Sequence, residues 1–126
     1  MVEGEQRSLE VTQELPDRKT LFDRCRRLVV KVGSAVLTGE RGLNRVMIHR
    51  LSDQMAELRE RGRIREIVVV SSGAVASGIR KVGLNERPRT IPQKQATAAV
   101  GQGVLMEAWE VAFDKYDLLV AQVLLT

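Results

Sequence analysis

The stretch VVVSSGAVASG, residues 68–78, predicts the fold of this chain. A β-branched run, typical of a buried parallel strand, ends in two serines and a glycine, and small residues follow. A strand ends in this way where a ligand must approach its carboxyl end closely, because Gly73 has no side chain to block it. The helix that follows would present free N–H groups and a positive dipole end to an anion. A tight turn with close helix–sheet packing explains the same residues, and this alternative stays open.

The surrounding sequence alternates strands with helices. LVVKVG (residues 28–33) and EIVVVS (Glu66–Ser71) predict two strands, and LLVAQVLL (residues 118–125) predicts a third. Between them we expect a glycine-rich loop over residues 34–42, a helix capped by Asn44 and ended by Gly62, and a small-residue helix closed by Gly83. A long helix from Pro92 to about Lys115 follows, and VGQG within it is expected to break or kink it.

This order predicts right-handed crossovers and a mainly parallel sheet in a three-layer α/β/α arrangement. Ligands of such sheets bind beyond the carboxyl ends of the strands, in loops that follow them. The sequence ends one residue after the predicted third strand, without its loop. We therefore expect the chain to be the front half of a larger domain.

Composition excludes several classes of function. The chain has 126 residues, 44% of them hydrophobic and 29% charged, with a net charge of +4, as in globular proteins. No apolar run approaches the roughly 20 residues that cross a bilayer, and no secretory signal begins the chain, so we expect a cytoplasmic protein without a membrane partner. The single Cys25 provides neither a disulfide framework nor a cysteine-rich metal site.

Two charged stretches are not predicted to form a binding or catalytic site. Residues 1–26 have mixed charge and no sustained period, and we interpret them as an amino-terminal extension with at most a short helix around Leu21 and Phe22. The basic stretch RERGRIRE (residues 59–66) alternates in sign and lacks the interleaved aromatic residues of a nucleic-acid platform. It is predicted to be a solvated helix end, and no nucleic-acid partner is expected.

Lys31 is a second candidate for anion binding. It places a charge inside the otherwise apolar first strand, two residues before Gly33. Burying a lysine is costly unless it meets an anion, whereas an edge strand would leave Lys31 in solvent. Two such strand ends side by side would hold one phosphoryl group between them. A Walker A loop is excluded at residues 73–80, because Ile79 and Arg80 stand where lysine and serine or threonine are required.

Four blocks, VVKVGSAVLT, VVVSSGAVASG, AAVGQG and AQVLLT, resemble successive blocks of the glutamate 5-kinases (γ-glutamyl kinases) of the amino-acid kinase superfamily. The resemblance covers about residues 27–126 and implies the amino-terminal half of such a kinase domain. Acetylglutamate kinases and aspartokinases usually follow the lysine with a paired glycine, whereas this chain has Gly33 and Ser34.

The resemblance implies ATP-dependent phosphorylation of the side-chain carboxylate of L-glutamate to glutamyl 5-phosphate, in proline biosynthesis. It implies a catalytic role for Lys31 and places Lys31, Gly33 and Ser34 against the ATP phosphates. Ser72 would bind glutamate, together with the N–H groups of Gly73 and Ala74. ATP and Mg²⁺ are the implied cofactors, with no metal ligand among these residues, and a homo-oligomer is expected.

An alternative is a small non-catalytic α/β module that binds a phosphate or a nucleotide, and a basic nucleic-acid module is the least favoured interpretation. If the kinase interpretation holds, the adenine pocket and the remaining substrate ligands belong to the other half of the domain. We then expect the isolated chain to be inactive, and either marginally stable or self-associating through exposed strand edges.

Overall fold

The computed structural model describes residues 17–39 and 42–124. Its helices are α1 (Arg18–Arg24), α2 (Ser34–Leu37), α3 (Arg45–Glu60), α4 (Ala74–Val82) and α5 (Ile91–Asp114). Its strands are β1 (Arg27–Val32), β2 (Thr38–Gly39), β3 (Gly42–Leu43) and β4 (Glu66–Ser71). Most of the predicted extension, residues 1–16, and the last residue of the predicted third strand lie outside the described part. The short helix expected around Leu21 and Phe22 is α1.

The parallel α/β class is confirmed, because β1 and β4 pair in parallel and α3 connects them. Leu28 lies opposite Ile67, and the register continues to Val32 opposite Ser71. Asn44 caps α3, since its Oδ1 accepts a hydrogen bond from Met47 N at 3.0 Å. The predicted ends of α3 and α4 are also confirmed by the positive φ angles of Gly62 (79°) and Gly83 (78°).

One face of the sheet carries the core. Alternate residues of β1 and β4 pack against α3 and α5 around Ile48, Leu105 and Trp109, all of which are buried. The other face is open in the described residues, where Val29, Val68 and Val70 are 60%, 45% and 47% exposed. The described residues therefore form two of the three predicted layers.

The predicted third strand is wrong. Residues 118–124 form no strand, and Leu119, Val123 and Leu124 are largely exposed. A strand needs a neighbour to satisfy its backbone groups, and this segment pairs with neither β1 nor β4. Leu118 N instead donates to Phe113 O at 3.4 Å, which extends the turn that ends α5. Leu118 and Val120 still pack against the core. The apolar pattern of this segment therefore indicates contact with the core and does not indicate pairing with another strand.

Two further predictions about local structure are wrong. The loop expected over residues 34–42 contains the single-turn helix α2, where Thr38 Oγ1 donates to Ser34 O at 2.7 Å, and the start of the β2–β3 hairpin. The break expected at VGQG does not occur, because α5 is continuous for 24 residues. The predicted break rested on the low helix propensity of glycine. Packing of α5 against a neighbouring helix compensates for that cost, so the helix continues.

That packing brings the backbones of α4 and α5 into direct contact. A Cβ atom built on Gly78 would lie 1.9 Å from Thr97 O, and one on Gly101 would lie 1.8 Å from Ala74 O. Neither distance is compatible with a side chain, so both positions require glycine. Thr97 itself is buried at this crossing. Gly78 of the opening stretch therefore serves helix–helix packing, whereas the packing alternative stated above was a tight turn against the sheet.

We predict that Gly78→Ala and Gly101→Ala each lower the free energy of unfolding by about 3 kcal/mol or more, because the clash is with backbone atoms that cannot rotate away. Gly103→Ala is the matched control, since its Cβ would meet nothing within 4 Å in the same helix. It should stabilise the chain by about 0.5–1 kcal/mol. Urea unfolding measures all three, and equal stabilities for Gly78→Ala and Gly103→Ala would contradict the close crossing.

A polar cluster joins α3 to the end of α5. Asp53 Oδ1 accepts a hydrogen bond from Tyr116 Oη at 2.8 Å and pairs with Lys115 Nζ at 2.6 Å. Hydrogen bonding to Lys115, and then to Tyr116, lowers the pKa of Asp53 below its ordinary 3.8. The hydrogen bond to Asp53 likewise raises the pKa of Lys115 above 10.5 and that of Tyr116 above 10.0.

These pKa shifts predict how the cluster's contribution to stability changes with pH. A lowered folded pKa makes Asp53 stabilising above about pH 4 and lets that stability disappear as the pH falls further. The raised pKa values of Lys115 and Tyr116 add stability below about pH 10 that is lost as the pH rises. Asp53→Asn should flatten both limbs of a plot of unfolding free energy against pH. Glu110→Gln, at an exposed position of α5, should leave both limbs in place.

Candidate functional site

The carboxyl ends of β1 and β4 meet at one edge of the sheet. Val32 lies opposite Ser71, and Ser72 N donates to Val32 O at 3.4 Å, one residue beyond the end of β4. The segment that follows β1, with Gly33 and Ser34, is thereby held beside the segment of residues 72–74. The parallel register thus brings together the two strand ends that the sequence singled out.

The amino terminus of α4 is uncapped at this edge. Gly73 occupies the N-cap position and offers no side chain to the first N–H groups of the helix. The N-caps of α1, α3 and α5 are Asp17, Asn44 and Thr90, and each accepts a backbone hydrogen bond through its side chain. Of these longer helices, only the one that begins at the candidate site leaves its amide groups available to an external acceptor.

Gly73 is held from below by the core. It is buried, and a Cβ at this position would lie 3.6 Å from Leu37 Cδ1 and 3.7 Å from Leu105 Cδ2. Its carbonyl accepts hydrogen bonds from Ser77 N at 2.9 Å and from Ser77 Oγ at 2.8 Å. Those contact distances are ordinary, so the fold leaves room for a methyl group at residue 73.

Lys31 is not buried. It lies on the open face of the sheet beside Val70, with its side chain exposed, as the solvent-facing alternative predicted, and its contact with an anion stays a prediction. Residues alternate between the two faces of a strand, and Ser72 continues the exposed row of Val68 and Val70. Lys31 and Ser72 therefore lie on the same side of the sheet, at adjacent strand ends.

Gly33 and Ser34 form the other border of the site. Gly33 is exposed, and a Cβ there would meet nothing within 4 Å, so its outer side is open space. Ser34 is half-buried, and its carbonyl is occupied by the hydroxyl of Thr38 at 2.7 Å. Ala74, the first residue of α4, is also half-buried. All six predicted residues therefore lie along one edge of the sheet.

Sequence reasoning missed the residues that support this edge. Leu37 is fully buried beneath Gly73, but it lay in a stretch predicted to be a loop. Ser77 fixes the first turn of α4 through the carbonyl of Gly73. A serine four residues after a helix-starting glycine was the available signal, since serine often bonds back to the carbonyl at i−4.

The groups at this edge fit phosphate or carboxylate oxygens. They comprise the Lys31 ammonium, the hydroxyls of Ser34 and Ser72, and the first amides of α4, which are all potential donors. The described residues contain no cluster of three or more histidine, cysteine, aspartate or glutamate side chains that would hold a metal ion. These groups thus fit an anion and do not by themselves fit Mg²⁺, which prefers oxygen ligands. A concavity of about 430 Å³ lies elsewhere, at the amino edge of the sheet.

Comparison with known proteins gives a consistent result. The model of the amino acid kinase family matches residues 26–126. Relatives named glutamate 5-kinase are 60% identical over 102 residues in Thermus thermophilus, 56% over 110 in Citrifermentans bemidjiense and 58% over 101 in Meiothermus ruber. These alignments cover 81%, 86% and 80% of this chain but only 27%, 29% and 26% of the relatives. The chain thus spans little more than a quarter of the curated relatives' length. Among the described residues, no helix is long and apolar enough to cross a membrane.

Proposed function

This chain belongs to the amino acid kinase family, and from that membership we propose that it forms part of a glutamate 5-kinase, which phosphorylates the side-chain carboxylate of L-glutamate with ATP. In this proposal residues 27–126 are the amino-terminal half of the catalytic domain, and residues 1–26 precede it. The names of the relatives and the identity of 60% to the Thermus protein support the choice of substrate. We also propose that the protein that carries this chain is a cytoplasmic homo-oligomer and uses ATP and Mg²⁺.

One observation carries the proposal most directly. The uncapped amino terminus of α4 and the exposed Lys31 lie at adjacent strand ends of a parallel sheet. A helix N-terminus stabilises negative charge through its dipole and its free N–H groups, and a lysine adds a full positive charge. Phosphoryl transfer needs charge compensation and in-line placement more than covalent participation by the protein. These groups are therefore of the type that the reaction requires.

The proposed roles follow the chemistry of each group. The glutamate side-chain carboxylate oxygen attacks the γ-phosphorus of ATP, the bond from this phosphorus to the β–γ bridging oxygen breaks, and ADP leaves. Lys31 compensates charge on the transferring phosphoryl oxygens, while Gly33 and Ser34 let the ATP phosphates approach β1 closely. The Ser72 hydroxyl binds glutamate, and the amides of Gly73 and Ala74 stabilise negative charge on the carboxylate or the phosphoryl group.

Mg²⁺ would compensate charge on the ATP phosphates when bound. Because the described residues at this edge offer hydroxyls and N–H groups and no carboxylate cluster, we assign none of them as a magnesium ligand. The steps assigned to this chain are the binding and orientation of the phosphates and of the glutamate carboxylate.

We predict that Lys31→Ala lowers kcat by about 10²–10³-fold in the protein that carries this chain, because it removes a preorganised charge at the transferring group. Trapping the acyl phosphate with hydroxylamine measures the activity. Unfolding free energy should stay within about 0.5 kcal/mol, since the side chain is exposed. Lys81→Ala, at an exposed position near the other end of α4, is the control.

A Lys31→Ala variant with half of the normal turnover would show that Lys31 is an ordinary strand residue. A parent protein that binds ATP and gives no hydroxamate would support the non-catalytic phosphate-binding alternative.

Ser72→Ala should raise the KM for glutamate about tenfold or more and leave the KM for ATP nearly unchanged. The physical reason is that a hydroxyl bound to a substrate carboxylate contributes about 1.5–3 kcal/mol through a hydrogen bond to a charged group. Steady-state kinetics with each substrate varied in turn measures the two constants. Equal increases in both would contradict the assignment of Ser72 to glutamate.

A further inference from the structure

The amino edge of the sheet, opposite the candidate active site, carries a concentration of arginines around a concavity. The concavity has a volume of about 430 Å³ and is lined by Arg26, Arg27, Arg65 and Glu66. Arg27 begins β1, so the concavity lies at the far end of a six-residue strand from Gly33. At the usual rise per residue, the two ends of β1 are roughly 17 Å apart.

Backbone hydrogen bonds fix the two sides of the concavity relative to each other. Arg65 N donates to Arg26 O at 2.8 Å, and Glu66 N donates to the same carbonyl at 3.2 Å. These bonds hold Arg26 and Arg65, which are 39 positions apart in the chain, at neighbouring points of one rim. The strand register therefore brings the two arginine residues together at one concavity, although they are distant in sequence.

The charges around the concavity are only partly neutralised. Arg27 forms an ion pair with Glu66, and Arg63 forms one with Asp23. Hydrogen bonding to Glu66 raises the pKa of Arg27. Among the described residues, neither Arg26 nor Arg65 forms an ion pair with a carboxylate, and the side chain of Arg26 donates a hydrogen bond to Arg63 O at 3.5 Å. Two exposed positive charges thus remain at the concavity.

We propose that this concavity is a binding site for a small polyphosphate anion, distinct from the phosphate site of the proposed kinase reaction. Guanidinium groups bind phosphate oxygens in pairs through planar, two-pronged hydrogen bonds, and two of them on one rim suit adjacent phosphate groups. The Arg27–Glu66 and Arg63–Asp23 pairs neutralise the flanks, so the positive area is compact. Neither aromatic side chains nor a continuous basic track line it, which disfavours a nucleic-acid strand.

Calorimetric titration of the full chain with inorganic pyrophosphate at low ionic strength tests this proposal. Arg26→Gln and Arg65→Gln should each weaken binding about tenfold, and the double variant should weaken it further. Arg50→Gln and Arg87→Gln are the matched controls, because both arginines are exposed, lie outside the concavity and change the net charge equally. Circular dichroism spectra of all variants verify that they fold alike.

Glu66→Gln provides a readout in the opposite direction. It removes the carboxylate that neutralises Arg27, so pyrophosphate should bind several-fold more tightly. A merely structural role of these arginines would not produce tighter binding.

Four results would overturn the proposal. Unchanged pyrophosphate affinity in both Arg26→Gln and Arg65→Gln would show that the anion binds elsewhere. Loss of binding in Lys31→Ala would place the anion at the carboxyl edge, and an equal loss in the Arg50→Gln and Arg87→Gln controls would reduce the effect to net charge. If a single-stranded oligonucleotide bound more tightly than pyrophosphate through the same arginines, the ligand of this site would be a nucleic acid and not a small anion. None of these outcomes depends on kinase activity.

Discussion

The backbone contact between α4 and α5 is the constraint on which the candidate site depends. Gly78 and Gly101 let the two helices touch where a single methyl group would collide with a carbonyl oxygen. Because α4 is held against α5 along its length, its first turn cannot move away from Leu105 of α5, which lies beneath Gly73. The position of the free N–H groups at the start of α4 therefore follows from a packing contact that extends along α4 from Ala74 to Gly78. Close packing in this fold is part of the preorganisation of the site.

The parts of this fold that were predictable depend on local signals. Asn44, Gly62 and Gly83 fix helix ends through capping geometry, which a few residues specify. The strands β1 and β4 were recognised from β-branched runs of the expected length. Both signals involve residues of a single turn or strand, so they can be recognised in the sequence without knowledge of the tertiary structure.

The missed features depend on contacts between distant segments. The helix through VGQG persists because Gly101 meets α4, a contact invisible in the local composition. The segment of residues 118–124 is apolar enough for a strand, yet it lies against the core without a hydrogen-bonded neighbour. Lys31 could not be assigned to either face of the sheet until the buried Val32 beside it defined the core side. The six candidate site residues nevertheless lie along one edge, since parallel pairing alone brings strand ends together.

The exposure of Lys31 limits what its charge achieves on this face. Two unit charges 4 Å apart interact by only about 1 kcal/mol in water but by about 4 kcal/mol at the effective dielectric constant of a protein surface. A lysine surrounded by water would therefore bind phosphate weakly and discriminate little between the ground and transition states. Val29, Val68 and Val70 give the same face an apolar lining that water solvates poorly. In the proposed kinase, any ligand or protein segment that covers these valines would also remove water from around Lys31. The apolar face and the charge would thus act together in the proposed kinase. Burial of the valines would lower the local dielectric constant, and the electrostatic attraction between Lys31 and a phosphate would become stronger.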